Sequence, residues 1–227
     1  MGLLNTILGI IFPINCLACG QKGPELCLNC LANSPMAERE SAKWIFPLYD
    51  YRHPPIKKAI WIFKYKEKKR LASIFAEMMY GRILEELSEL FVLENFKDTI
   101  LIPIPLSPKR YRERGYNQAE LICKKLIELD KTHLRHSVDA NFVLENNVLI
   151  KPKETIHQAH IENRATRLKN IIGSFAIKNP KENISKIKNR NIILIDDVTT
   201  TGATLSEARK ILKQSGARKI IAFTVAH

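Results

Sequence analysis

Two periods alternate along the chain. Ile45 to Tyr51, Thr99 to Ile104 (TILIPI), Asn191 to Asp196 (NIILID) and Lys219 to Val225 are apolar, β-branched runs that predict buried strands, with a further strand at Gly173 to Ile177 and a weaker one at Asn147 to Lys151. Between them the apolar positions recur at helical spacing. Pro54-Pro55 open a helix through Tyr65, and helices follow over Leu71 to Leu93, Asn117 to Leu129, Ile161 to Asn170 and Ala203 to Ser215, the last stopped by Gly216. Strands that are apolar throughout, alternating with helices, predict an α/β fold with a parallel sheet covered on both faces. Met1 to Pro13 predicts a short amphipathic helix with Leu3, Leu4, Ile7, Leu8 and Ile11 on one side, packed on the body of the protein. It lacks the basic start and small-residue cleavage site of a secretory signal. Its Met1-Gly2-x-x-x-Thr6 pattern matches the myristoylation consensus only formally; peripheral membrane contact is the lesser alternative. The polar stretch Asn33 to Lys43 reads as a linker, dividing the chain into a head, residues 1–43, and a main domain, residues 44–227.

Composition narrows the class. With 227 residues, 45% hydrophobic and 26% charged, the chain can bury a substantial core. No run approaches the roughly 18 apolar residues of a membrane span, and 9 Gly and 11 Pro without a repeat exclude collagen and bulk disorder. The 36 Lys and Arg against 23 Asp and Glu leave a net charge of +13, which calls for an anionic partner. That charge is concentrated: Lys57 to Arg70 nets +6, Lys109 to Gln118 nets +3, Lys151 to Arg190 nets +7, and the remainder nets −3. Any one window is accounted for by a solvated surface; the three together point to an anionic partner, whether nucleic acid, a phosphorylated small molecule or anionic lipid.

Four of the five cysteines fall as Cys16-x-x-Cys19 and Cys27-x-x-Cys30. Each two-residue gap turns a pair of sulfurs inward, and two such turns complete a tetrahedron around Zn²⁺. Four protein ligands leave no open position, so the zinc would be structural. Two disulfides, or a redox pair, are the alternatives, and the missing secretory signal weighs against disulfides. Cys123, in phase with Ala119, Ile122 and Leu126, reads as a packing residue.

The sharpest feature runs from Ile192 to Leu205. Four aliphatics lead to Asp196 and Asp197, then to a hydroxyl-rich turn, Val198-Thr199-Thr200-Thr201-Gly202-Ala203-Thr204, that enters a helix. Carboxylates at the carboxyl end of a buried strand lie where open α/β sheets bind ligands. A small turn at a helix N-terminus directs backbone N–H groups and hydroxyls at a phosphate. The Walker lysine and the G-x-G-x-x-G pattern are both absent, which argues against an ATPase or a dinucleotide site. The bland alternative makes Asp197 a helix-end acid and the threonines caps.

These residues resemble the signature of the type I phosphoribosyltransferases, which bind 5-phosphoribosyl 1-pyrophosphate (PRPP). The resemblance implies that Asp196 and Asp197 hold the ribose hydroxyls and that Thr200, Thr201, Gly202, Ala203 and Thr204 cradle the 5′-phosphate, within a PRPP-binding segment that includes Val198 and Thr199. The four-cysteine head, Arg112-x-Arg114-Gly115-Tyr116-Asn117-Gln118 after an Ile-Pro-Ile-Pro strand end, Gln158, Arg167-x-x-Asn170 and Phe175 extend the likeness to the ComF/GntX branch. The fold implied is a parallel-sheet phosphoribosyltransferase fold with a small N-terminal zinc-binding module. In that branch the Arg112–Gln118 stretch corresponds to the pyrophosphate loop and the stretch before Gln158 to a mobile lid. Arg112, Arg114 and Mg²⁺ would then stabilise the leaving pyrophosphate, with Lys153 closing over the site, and Lys64 and Lys66 as weaker candidates. Two departures stand out: Lys151 in place of an arginine commonly seen near the lid start, lacking the bidentate fork, and Ile161 in place of a leucine.

Donor chemistry is thus legible and acceptor chemistry is not. Where purine-salvage enzymes of the superfamily carry an acid, this chain has Thr200, which cannot shuttle a proton at neutral pH. Met1-Gly2 offers no glutaminase nucleophile. His53, His133, His136, His157, His160 and His227 form no ligand or catalytic pattern. The resemblance implies a PRPP-binding protein of natural transformation that handles incoming single-stranded DNA. Such a protein would be cytoplasmic or at the cytoplasmic face of the membrane, beside a DNA-uptake helicase or inner-membrane channel protein. Phe63, Tyr65, Tyr111 and Tyr116, interleaved with the basic windows, are the expected base-stacking residues. The alternatives are an active phosphoribosyltransferase of unknown acceptor, displacing pyrophosphate from PRPP, and a zinc-stabilised α/β binding protein whose motif is vestigial.

Overall fold

The computed structural model describes residues 14–38, 42–97, 99–132, 141–152 and 171–227. In chain order its elements are α1 (Leu28–Ala32), β1 (Ile45–Tyr49), α2 (Pro54–Tyr65), α3 (Leu71–Glu94), β2 (Thr99–Pro103), α4 (Pro108–Arg114), α5 (Gln118–Thr132), β3 (Val143–Leu144), β4 (Leu149–Ile150), β5 (Ala176–Ile177), α6 (Pro180–Ile187), β6 (Asn191–Val198), α7 (Ala203–Gln214) and β7 (Lys219–Ala226). The main sheet has the order β1-β7-β6-β2-β3, and every pairing in it is parallel.

The pleat explains why the strands are apolar throughout. On one face, Ile193 and Ile195 of β6, Leu101 of β2 and Phe223 of β7 pack against Ile60 and Phe63 of α2, Phe75 and Met79 of α3, and Ile122 and Leu126 of α5. On the other, Ile192 and Leu194, with Ile100, Ile102 and Ile220, pack against Leu205, Ala208 and Leu212 of α7 and Ile187 of α6. Each fully buried aliphatic or aromatic side chain contributes about 1.5–3 kcal/mol. Cys123 is buried on the first face, where burial pushes its thiol up, as befits a packing residue.

Two expectations are corrected. The strands expected at Asn147–Lys151 and Gly173–Ile177 shorten to two residues each and pair antiparallel with one another, Leu149 opposite Ile177 and Ile150 opposite Ala176, apart from the main sheet. Neither run has enough continuous apolar sequence to occupy an interior position of a parallel sheet. Helices α4 and α6 arise where no helix was expected. Both begin with proline after a polar residue, Ser107-Pro108 and Asn179-Pro180, a start signal that needs no apolar stripe. The helices predicted for Met1–Pro13 and Ile161–Asn170 lie outside the described residues. Among the described residues no helix is long and apolar enough to cross a membrane.

Candidate functional site

Strands β2 and β6 run parallel and end at the same rim of the sheet, which opens a cavity of about 550 Å³. Asp196 and Asp197, at the end of β6, project to opposite faces of the strand. Asp197 is buried and its Oδ1 lies 2.8 Å from Nζ of Lys64 on α2. Asp196 accepts a hydrogen bond of 2.8 Å from the Asp197 N–H. Burial, and then the Asp197 charge, push the Asp196 carboxyl up from 3.8 to about 7, against the opposing pull of Lys64 and Lys151. The unfolded chain releases this proton near pH 4 while the folded chain holds it toward 7, so this residue weakens folding as pH rises through that window. Ligand-free wild type is therefore expected to lose stability relative to Asp196→Asn between pH 4 and 7 and to hold level above. Denaturant melts across that range check it, and a pH-independent difference would refute the raised carboxyl.

Beyond Val198 the chain turns sharply. Gly202 sits in the left-handed region at φ 67°, where a side chain would be strained, and α7 starts at the next residue. The Thr201 hydroxyl accepts from the Ala203 N–H at 3.4 Å, and the Thr199 N–H donates to the Ala226 carbonyl at 3.0 Å, which ties the turn to β7. The His227 ring nitrogen Nε2 lies 3.0 Å from the Thr200 carbonyl. The first-turn N–H groups of a helix have no intrahelical partner, so the turn offers the cavity donors at the positive end of the helix dipole.

Four cations line the same cavity: Lys64, Arg110, Arg114 and Lys151. Lys151 is buried, with its ammonium 5.2 Å from the centre of the Phe175 ring. The Arg-Gly-Tyr-Asn-Gln segment is largely architectural. Gly115 is the left-handed cap of α4 at φ 74°. Tyr116 is buried and donates its hydroxyl proton to the Phe63 carbonyl. Asn117 caps α5 by accepting from the Ala119 N–H at 3.0 Å and donates to the Ile104 carbonyl at 3.0 Å, fastening the helix to the end of β2. Arg114 and Gln118 are left to face the cavity, joined by a bond of 3.0 Å from Arg114 Nη1 to Gln118 Oε1.

At the other end of the chain the sulfurs of Cys16, Cys19, Cys27 and Cys30 all lie within 4.8 Å of one another. The Cys27 N–H points at the Cys16 sulfur at 3.4 Å. Burial alone would raise the Cys16 thiol, but backbone hydrogen bonds from Cys19, Cys27 and Ala18 outweigh it and lower it to about 6. Cys30 is driven the other way, to about 12, by Cys27 first and then by burial. Four thiolates that close repel one another, and a bound cation is what lets all four ionise. The donor chemistry of the cluster suits a metal ion.

The family model of the phosphoribosyl transferase domain matches residues 147–227, the stretch from β4 through the acid pair and its turn to the last strand. Over 213 residues the chain is 29% identical to Competence protein F of Haemophilus influenzae, covering 89% of this chain and 81% of that protein. It is 31% identical over 133 residues to Competence protein ComFC of Streptococcus pneumoniae, covering 59% of this chain and 50% of that one. The chain thus carries a phosphoribosyl transferase domain and is similar to these competence proteins. It is also 25% identical over 194 residues to the DNA utilization protein YhgH of Escherichia coli O6:H1, covering 86% of this chain and 74% of the relative.

In this chain the predicted site residues separate by position. Asp196 to Thr204 all line the cavity, as does Arg114. Arg112 does not: it is exposed, half a turn away from the cavity face of α4, and Arg110, four residues before Arg114, takes the inward place. Phe63 and Tyr116, expected to stack bases, are core residues instead, since their rings pack on one another at 6.1 Å beneath α2. Trp61, exposed and lining the cavity, went unmarked because an aromatic at helical spacing usually signals core. Lys153, His157, Gln158, His160, Ile161, Arg167 and Asn170 lie outside the described residues.

Proposed function

We propose that this chain is a ComF-type protein that binds PRPP with Mg²⁺ and handles incoming single-stranded DNA in natural transformation. One observation carries the PRPP reading: a single cavity gathers the acid pair, the threonine turn at a helix N-terminus and a wall of cations. In this reading Asp196 and Asp197 accept from the ribose hydroxyls. The turn from Val198 to Thr204 takes the 5′-phosphate. Arg110, Arg114, Lys64 and Lys151 face the pyrophosphate, whose several negative charges need them. Lys153 keeps its place from the sequence alone. Mg²⁺, a hard cation suited to phosphate and carboxylate oxygens, would supply further neutralisation of the leaving pyrophosphate. The four sulfurs would hold Zn²⁺ as a structural ion. The DNA part is supported by the names of the relatives, which speak of competence and DNA utilization, and by a net charge of +13, more than one sugar phosphate requires. A cytoplasmic location beside a DNA-uptake helicase or inner-membrane channel protein accompanies this reading.

PRPP with Mg²⁺ is expected to raise the melting temperature, while ribose 5-phosphate, which lacks the pyrophosphate, raises it less. No shift at millimolar PRPP would sink the assignment. PRPP affinity should also climb as pH passes about 7, because Asp196 must ionise to accept from a hydroxyl. Single-strand affinity is expected to fall steeply with salt, and a salt-independent interaction would remove the DNA part. A second reading, transfer of the phosphoribosyl group to an acceptor, is favoured by Arg110 and Arg114 standing one helical turn apart in the cavity. Pyrophosphate release against a panel of amines and bases tests it, and a silent panel leaves binding alone.

A further inference from the structure

The cavity lies at the carboxyl rim of a sheet whose strands are all parallel, so every strand starts at the opposite rim. There the loops that lead into β2, β6 and β7 meet. The Arg218 N–H donates to the Arg190 carbonyl, and the Asn189 N–H to the Gly216 carbonyl, each at 2.9 Å. The Asn191 side-chain amide donates to the Lys97 carbonyl at 2.7 Å. The Arg218 guanidinium reaches the end of α3, donating to the carbonyls of Glu94 at 3.0 Å and Asn95 at 3.2 Å. By sequence these loops carry Lys97, Lys188, Arg190, Lys213, Arg218 and Lys219 against Glu94 and Asp98. Lys97, Lys213, Arg218 and Lys219 lie outside the three basic windows of the sequence, and only the fold brings them to Lys188 and Arg190.

Little of that charge is compensated. Glu94 is taken by Lys219. Lys213 and Arg218 donate to backbone carbonyls, which fixes the two cations in place and leaves their charge standing. Lys97 and Lys188 are exposed, and neither forms an ion pair among the described residues. Apolar surface borders the cations. Phe91 and Val92, in the last turn of α3, are 51% and 82% exposed. The Phe91 carbonyl accepts from the Asn95 N–H at 3.1 Å, so the ring sits one helical turn from the carbonyls that hold Arg218. Fixed cations follow a phosphate backbone, and an exposed ring beside them offers its face to a base. A duplex keeps its bases stacked on one another, so the ring favours a single strand.

We propose that the amino-terminal rim of the sheet, with Phe91 at its border, is the docking surface for single-stranded DNA, separate from the phosphoribosyl site. It rests on the DNA part of the reading above and names the surface which that part leaves open. Lys97→Glu/Lys188→Glu protein alters exposed side chains only. Its affinity for an oligothymidine, read by fluorescence anisotropy, is expected to fall about ten-fold or more. The slope of log affinity against log salt should shrink by about 1.4, since a single strand gives about 0.7 for each phosphate neutralised. Phe91→Ser should weaken binding about ten-fold at an unchanged salt slope, because stacking releases no counterions. Duplex binding should be indifferent to Phe91→Ser, and an equal loss there overturns the stacking role. Lys57→Glu/Lys58→Glu makes the same charge change at exposed positions of α2, a helix that starts from the carboxyl rim, and should weaken binding far less. Equal losses from the two charge reversals, or none from the rim variant, overturn the surface. Ligand-free melting temperatures, expected to match wild type in all three variants, keep misfolding out of the comparison. Wild type without single-strand affinity sinks the DNA reading itself, whereas wild-type affinity in the rim variant sinks only the surface.

Discussion

Asp196→Asn/Asp197→Asn protein is expected to melt at one temperature with or without PRPP and Mg²⁺, whereas the wild type should rise by roughly 5–10 °C at a hundred-fold excess over Kd. Each carboxylate accepting from a ribose hydroxyl makes a charge-assisted bond of about 1.5–3 kcal/mol. Neutralising both therefore removes on the order of a hundred-fold or more in affinity. The substitution keeps the shape. An asparagine oxygen at 197 still accepts from Lys64, now at 2.8 Å, and one at 196 from the backbone N–H, now also at 2.8 Å. The ligand-free variant should accordingly fold, and above pH 7 it should melt no lower than wild type, because the cost of burying the Asp196 charge, and then its repulsion by Asp197, are gone. Differential scanning fluorimetry with and without ligand decides the matter, and equal shifts in both proteins would refute the role of the acid pair.

Cys16→Ser should have the second large effect. Wild type is expected to contain about one zinc per chain, as four cysteine ligands of one tetrahedral site require. The variant should lose that metal, and its melting temperature should fall by roughly 10 °C or more, because structural zinc contributes several kcal/mol and each is worth about 2–4 °C in a chain of this size. The loss should reach the body of the protein. Leu26 and Leu31, set between and beside the cysteines, are buried in the same cluster as Phe46, Leu48 and Phe223 of the main sheet. Metal analysis and thermal melts of the two proteins check this together. Zinc retained in Cys16→Ser would overturn the ligand set, and absence of metal from wild type with thiols missing from a free-thiol count would revive the disulfide alternative.

Much of the site was legible along the chain because its parts are contiguous. Strand, acid pair, threonine turn and helix occupy Ile192 to Leu205 without interruption, so local rules place them correctly relative to one another. The cysteine pairs are similarly local, and their sulfurs come within 4.8 Å of one another. Legibility fails where a residue's role depends on which side of an element it faces. Arg110 and Arg112 are indistinguishable by type, and only the phase of α4 turns one into the cavity and the other to solvent. Trp61 and Phe63 differ in the same way on α2, two residues apart and on opposite faces.

The sequence by itself determined most elements and the chemistry they carry: short, β-branched aliphatic runs between polar stretches read as buried strands, and paired C-x-x-C turns can converge on one metal. Tertiary structure alone decided what meets across the chain. Lys64 reaches Asp197 from 133 positions away, Tyr116 closes on Phe63 across 53, and Arg114 stacks over Tyr65. These contacts follow from the sheet order β1-β7-β6-β2-β3, which brings the ends of β2 and β6 to one rim with α2 across from them. No local pattern encodes that order, because it is set by how both faces of one sheet are covered at once.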